Sequence, residues 1–339
     1  MKMRTYIIRR LLLLIPVLLG VSILVFTLTR VTGNPAAAYI TEKMSPDAVE
    51  AIKESMHLND PVFVQYWYWL VNMVQGNWGI SKVNANQPVT KSIAEFFPAT
   101  FELTMVSMVI AVMVGISLGT VSAVRRDKPI DHATRIMALS GVSLPVFVLA
   151  IILQFIFYFH LGWFPSGGRI SNQYILEGFT EYTNFYLIDS LLNGKLDLFA
   201  DVAWHLALPA ITLAFGTIAI ITRMMRSSML EVLGQDYIKT ARSKGLPDKT
   251  VIKKHARRNA LIPTTTIIGL AFGGLLAGAV LTESIFYWPG LGRWSVDALL
   301  QNDWNSILGF TILIAIVYVL ANLIVDLLYA YLDPRVRLE

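Results

Sequence analysis

Leu11-Leu12-Leu13-Leu14-Ile15-Pro16-Val17-Leu18-Leu19-Gly20-Val21-Ser22-Ile23-Leu24-Val25-Phe26-Thr27-Leu28-Thr29 contains no charged side chain. A helix needs about 20 mainly apolar residues to cross ~30 Å of hydrocarbon, and this run has that length. The same reading applies to residues 100 to 124, 136 to 159, 206 to 222, 261 to 282 and 307 to 331, so six spans are predicted. The whole chain agrees: 339 residues, 55% apolar and 15% charged, against about 25% charged in an ordinary soluble domain. Its mean hydropathy is +0.57. These values argue for an all-α membrane protein and against a soluble enzyme, a disordered chain or a disulfide scaffold. The absence of cysteine excludes thiolate metal sites and cysteine nucleophiles. The histidines, at 57, 132, 160, 205 and 255, have no metal-ligand spacing.

Basic residues are retained on the cytoplasmic side of a membrane. An even number of spans puts both termini on one side, and that side carries 20 of the 28 Lys and Arg residues. They lie before the first span, in 125 to 135, in 223 to 260 and in the tail. Both termini are therefore predicted to be cytoplasmic. The first span also resembles a secretory signal sequence, with Ala36-Ala37-Ala38 as a cleavage site. It exceeds the usual 7 to 15 apolar residues, so retention is expected.

On the opposite side, Ser45-Pro46-Asp47 can open a short helix. Tyr66-Trp67-Tyr68-Trp69 and Trp78 suit a membrane interface or an external cap. Acidic residues outnumber basic ones in 160 to 205, a loop whose charges are expected to be solvated or to dock a basic partner. Gly115-x-x-x-Gly119, Gly269-x-x-x-Gly273 and Gly274-x-x-x-Gly278 allow helices to approach closely. Few ionisable groups lie in the apolar zones, namely Glu102, Glu283 and Asp326, all near span ends. An ion-coupled carrier would be expected to hold such groups nearer the midplane. Gln154, Thr264, Thr265, Thr266, Glu283 and Asn322 are candidate path-lining residues, or equally residues that bond helix to helix.

Residues 223 to 260 form a loop far longer than two spans require, with ten basic residues. The alternative is a polybasic patch that attracts anionic lipid. Gly245 suits positive φ, and Pro247 with Asp248 in the following turn opens a new helix. The expected result is helix, sharp turn, and second helix along the membrane surface. No G-x-x-x-x-G-K-[ST] phosphate loop occurs, so any nucleotide that drives the protein must bind another subunit.

Asp236-Tyr237-Ile238-Lys239-Thr240-Ala241-Arg242-Ser243-Lys244-Gly245-Leu246 resembles the coupling-loop motif of ABC importer permeases, Glu-Ala-Ala, three residues, Gly. Lys239, Thr240 and Ala241 occupy the Glu-Ala-Ala positions and Gly245 the Gly. Lys replaces Glu, and Arg257-Arg258 stand where a Leu-Pro ending is expected. The shifted ending through Pro263 is similar to the peptide/nickel branch of that family. So are Arg226 to Gly234, Thr282-Glu283-Ser284-Ile285-Phe286-Tyr287-Trp288-Pro289-Gly290-Leu291-Gly292, the Tyr6 to Pro16 run and Asp333-Pro334-Arg335. The length and the 160 to 205 insert look most like the first permease subunit of dipeptide importers.

The resemblance implies a type I importer fold with 1–30 as the N-terminal end and first helix, 31–99 as an extracytoplasmic loop or cap, and 100–339 as the permease core. It implies a homologous second permease, two ABC ATPase subunits that hold ATP and Mg, an extracytoplasmic peptide-binding protein and the lipid bilayer, with no nucleic acid. The chain itself is expected to bind no cofactor or metal and to be no enzyme. Tyr237, Ile238, Thr240, Ala241, Lys244, Gly245, Leu246 and Pro247 would meet an ATPase. Import of nickel chelates or oligosaccharides by the same kind of complex, or a stand-alone ion-coupled carrier, are the alternatives.

Overall fold

The computed structural model describes residues 3–32, 36, 39–40 and 44–332, excepting the side chains at 3–7, 10, 32, 277–278 and 325–332. Asp326, Asp333-Pro334-Arg335 and most of the Ala36-Ala37-Ala38 site lie outside that description. Helix α1 is Met3–Thr32, followed by α2 (Pro46–Ser55) and α3 (Val62–Val74). A two-residue hairpin, β1 (Ile80–Ser81) antiparallel to β2 (Gln87–Pro88), leads into α4 (Val89–Val124). Then come α5 (Pro129–Ser143), α6 (Val146–Leu153), α7 (Asn172–Glu177), α8 (Tyr186–Leu192) and the long α9 (Leu196–Leu233). The chain ends with α10 (Asp236–Ser243), α11 (Asp248–Thr250), α12 (Arg257–Ile285), α13 (Leu291–Leu300) and α14 (Trp304–Leu332).

Five of the described helices are long and apolar enough to cross a membrane, or six if α5 and α6 count as one broken span. That pair departs from the straight helix expected over 136 to 159, because it bends by 109°. Pro145 is the cause. It offers no N–H and disfavours helical backbone at the residue before it, and Leu144 is accordingly extended at φ −79°, ψ 121°. Beyond α6 the helix widens to a π-helix over Gln154–His160.

Helix α9 is the centre of the bundle, since 72% of its most apolar stretch is buried, against 17% in α1 and 22% in α14. Small residues bring the neighbours in. A Cβ on Gly115 would stand 2.7 Å from Ile221, one on Gly119 2.7 Å from Met225, and one on Gly141 2.7 Å from Ala219. The expected packing role of Gly115 and Gly119 is thus seen between α4 and α9. The core they close contains Ala111, Ile116, Ile218, Ile221, Met225 and Met229.

The 223 to 260 stretch differs from the sequence expectation in extent. Helix α9 continues to Leu233, and the second helix, rather than lying apart, passes through a π-helical turn (Val251–Ala256) into α12. Leu230, Leu233, Val251 and Ala256 pack on the same core, which draws these turns into the bundle. At the other end, α3 carries the aromatic run, with Tyr66 and Trp69 5.3 and 5.5 Å from Phe26 of α1.

Candidate functional site

The segment joining α9 to α12 is short and tightly built. Helix α10 opens with Asp236 in its first turn and closes with Arg242 in its last, both favourable to the helix dipole. Its end is a Schellman turn: Gly245 N–H donates to Arg242 O at 2.9 Å and Leu246 N–H to Ala241 O at 3.4 Å. That turn needs a left-handed residue, and Gly245 has φ +75°. No atom lies within 4 Å of a Cβ built there, so the requirement is conformational rather than steric. Pro247 then caps α11 with φ −58° and ψ 137°. Arg242 Nε donates to Asp248 Oδ1 at 3.3 Å across the elbow.

The elbow has two faces. Ile238 is fully buried and Ala241 nearly so, in the core formed by α4 and α9. Tyr237, Thr240, Lys244, Gly245, Leu246 and Pro247 are exposed. Tyr237 is held by Asn259 of α12, whose Nδ2 donates to the phenol oxygen at 2.9 Å. Thr240 Oγ1 donates back to Asp236 O at 3.0 Å. The structure therefore brings all eight predicted coupling residues into one anchored elbow, with an outward surface that mixes an aromatic, an aliphatic and cationic groups.

The predicted path residues do not gather in this way. Thr264 is buried, its hydroxyl bonded to Ala260 O at 2.9 Å, and Thr265 bonds Leu261 O at 2.8 Å. The Thr266 hydroxyl is buried without a partner. Gln154 Nε2 donates to Ser166 O at 2.6 Å, and Asn322 is half-buried. Glu283 is fully buried at the far end of α12, accepting from Thr100 Oγ1 at 2.7 Å and from Arg293 N–H at 3.0 Å. Thr264 and Glu283 stand roughly 28 Å apart at the helical rise of 1.5 Å per residue. A Cβ on Gly290 would approach the Glu283 carboxyl to 2.5 Å, so the Pro289-Gly290-Leu291-Gly292 turn wraps that carboxylate.

Of three buried carboxylate clasps, those of Asp131 and Asp303 have no counterpart in the sequence reading, and the third belongs to Glu102, named there as an ionisable residue at a span end. Asp131 of α5 receives Nε and Nη2 of Arg226 on α9 at 2.7 and 2.8 Å, together with Ser122. Asp303 holds the β-hairpin, and Glu102 holds Arg169. No local motif marks such pairs, because their members lie tens of residues apart. Among the described residues no group of His, Cys, Asp or Glu is arranged to hold a metal.

A bundle of helices long and apolar enough to cross a membrane, with an anchored elbow between two of them, is the architecture of a multi-pass membrane protein. The chain belongs to the family of binding-protein-dependent transport system inner membrane components, whose model matches residues 111–338. The model of that family's N-terminal component matches residues 3–104. The dipeptide transport system permease protein DppB of Alkalihalophilus pseudofirmus is 42% identical, over 99% of this chain and 100% of that protein. The probable D,D-dipeptide transport system permease protein DdpB of Escherichia coli K12 is 42% identical, over 95% of this chain and 94% of that protein. The oligopeptide transport system permease protein AppB of Bacillus subtilis is 41% identical, over 99% and 100%.

Proposed function

We propose that this chain is one permease subunit of an ATP-driven ABC importer of dipeptides or oligopeptides, forming half of the translocation path beside a homologous second permease. The basic end, with 125 to 135 and 223 to 260, faces the cytoplasm, and both chain termini lie there. Two ATPase subunits bind the elbow over 236–248, holding the ATP and Mg that this chain does not bind. A peptide-binding protein delivers substrate at the opposite end, beside the 31–99 and 160–205 segments. The relatives' names support the substrate class, and the excess of basic residues at one end supports the orientation.

The observation that carries the coupling role is the two-faced elbow. Burial of Ile238 ties α10 to the core of α4 and α9, while Tyr237, Lys244 and Leu246 remain outside for a partner. A Schellman turn stopped by Pro247 has little freedom to bend, so a push on the outer face passes into α9 and α12 rather than into the loop. Closure of the ATPases would then rotate both helices together.

The test is Gly245→Asp in the complete complex, scored for membrane insertion, ATPase retention and peptide uptake. Insertion at the wild-type level with uptake abolished is expected. Normal uptake with the ATPases still bound would overturn the coupling role.

A further inference from the structure

A cavity of about 310 Å³ opens between α5 and α9 at the basic end, and three arginines line it: Arg135, Arg223 and Arg226. Their situations differ. Arg226 is committed, its Nε and Nη2 both bonded to the fully buried Asp131. Among the described residues Arg135 and Arg223 make neither an ion pair nor a side-chain hydrogen bond, and both are exposed. The nearest other acids in sequence are Asp127, which is exposed and faces Arg126 at 3.4 Å, and Glu231, also exposed; neither forms an ion pair with Arg135 or Arg223. The cavity therefore carries two guanidinium charges with no counter-charge from the chain itself. Thr222 also lines it, and its buried hydroxyl has no hydrogen-bond partner.

The position of these groups selects the ligand. Arg135 directly precedes the apolar run 136 to 159, and Arg223 directly follows the run 206 to 222. Both arginines thus stand where the hydrocarbon ends and headgroups begin. Four and seven residues beyond Arg135, on the same helical face, come Leu139 and Val142, 65% and 53% exposed. Leu139 and Ala138 form part of the cavity wall. A cationic mouth at headgroup level that continues into an apolar strip matches a molecule with a phosphate at one end and an acyl chain at the other. Basic pockets between membrane helices hold anionic headgroups by this combination.

We infer that the groove between α5 and α9 is a binding site for an anionic phospholipid, its phosphate between Arg135 and Arg223 and an acyl chain along Leu139 and Val142. The site lies on the two helices that the Asp131–Arg226 clasp locks together, so a bound lipid bridges the same pair from outside. This goes beyond the transport role proposed above and does not depend on the elbow.

The experiment uses the complete complex in nanodiscs of phosphatidylcholine with a minor fraction of phosphatidylglycerol, the retained lipid being counted by native mass spectrometry. Wild type is expected to retain phosphatidylglycerol, and R135Q/R223Q to lose its enrichment about thirtyfold, on the scale set by two basic side chains beside anionic lipid. The control R125Q/R126Q removes the same charge from exposed positions outside the groove and is expected to keep the enrichment. Equal loss in the control would reduce the effect to bulk attraction and overturn the site. So would equal retention by R135Q/R223Q. Inorganic phosphate is offered separately in pure phosphatidylcholine discs; thermal stabilisation by phosphate, with no preference for the anionic lipid, would assign the cavity to a free ion and overturn the lipid reading.

Discussion

Arg169 Nη2 donates to Glu102 Oε2 at 2.7 Å across 67 residues of chain, and both side chains are almost wholly buried. Each partner holds more than the other. The same Nη2 donates to Asn184 O at 3.0 Å, the guanidinium lies 3.5 Å over the Tyr186 ring, and Glu102 Oε1 accepts from Leu187 N–H at 2.8 Å. Two points of the 160–205 segment, Arg169 and Leu187, are thereby fastened to one carboxylate of α4, and Asn184 and Tyr186 are held through Arg169. Burial also pushes the Tyr186 phenol up to about 12, with Arg169 opposing the shift. That phenol therefore stays protonated and donates to Glu181 at 2.9 Å.

Removing one partner of such a pair leaves an unpaired buried charge. Arg169→Met is expected to cost about 3–5 kcal/mol, seen as earlier thermal unfolding of the purified protein in detergent. Adding Glu102→Gln to that variant is expected to recover part of the loss, because the orphan charge is then gone. A single variant as stable as wild type would remove the clasp from the account of stability.

Asp303 makes an analogous prediction for the hairpin. Fully buried at the start of α14, its Oδ2 accepts from Lys82 N–H at 2.7 Å, from Ser306 Oγ at 2.6 Å and from Ser81 Oγ at 3.1 Å. A two-residue ladder has little stability of its own, so the carboxylate sets where the chain turns into α4. Asp303→Ala should cost about 3 kcal/mol, because hydrogen bonds to a charged group contribute ~1.5–3 each and do not add fully. Hydrogen exchange at 79–89 should accelerate while α9 stays protected; unchanged exchange there would show that the hairpin holds itself.

Most of the helices could be read from the sequence because a span writes itself locally: twenty apolar residues need no partner to be recognised. The elbow was legible for a similar reason, since Gly245 and Pro247 each constrain their own backbone. The break at Leu144-Pro145 was present as a residue type but masked by the apolar run around it. The extension of α9 to Leu233 was hidden by its charges, whose helix continues because Leu230 and Leu233 meet the core. Long-range clasps are the opposite case. Nothing near Arg169 in sequence says that it leaves its loop, and charge counting placed it in solvent. Path residues are ambiguous in sequence for a third reason: a Thr in a span bonds its own helix at i−4 as readily as it faces a channel, and the hydroxyls of Thr264 and Thr265 make that bond.

The contact between α4 and α9 can be tested by volume alone. Gly119→Val places branched carbons where even a Cβ would be 2.7 Å from Met225 Cβ and from Thr222 O. Overpacking of this kind costs about 1–3 kcal/mol, or more where backbone is the obstacle. Gly20→Ala in α1 is the matched control, with no atom within 4 Å of the new methyl. Thermal unfolding should separate the two substitutions. Equal melting would mean that the helices can part without penalty, and the close approach would then not be a source of stability.

Ile238 and Lys239 are adjacent and oppositely placed, which makes them the sharpest probe of the elbow. Ile238 is fully buried, whereas the Lys239 side chain is 68% exposed and pairs at 2.9 Å with an Asp236 that is itself 95% exposed. Exposed pairs of this kind contribute little, so Lys239→Glu is expected to leave both stability and ATPase retention at wild-type levels. It also installs the residue type that the coupling motif carries at this position, so a fall in uptake would mean that the partner surface is built for the lysine. Ile238→Asp puts a carboxylate into an apolar core, at a cost of several kcal/mol unless α10 swings out. Swinging out uncouples the outer face from α9 and α12, so uptake should be lost while the membrane helices remain inserted and folded. If Ile238→Asp transported peptide normally, burial of α10 could not be what transmits the motion, and the elbow would be a tether rather than a lever.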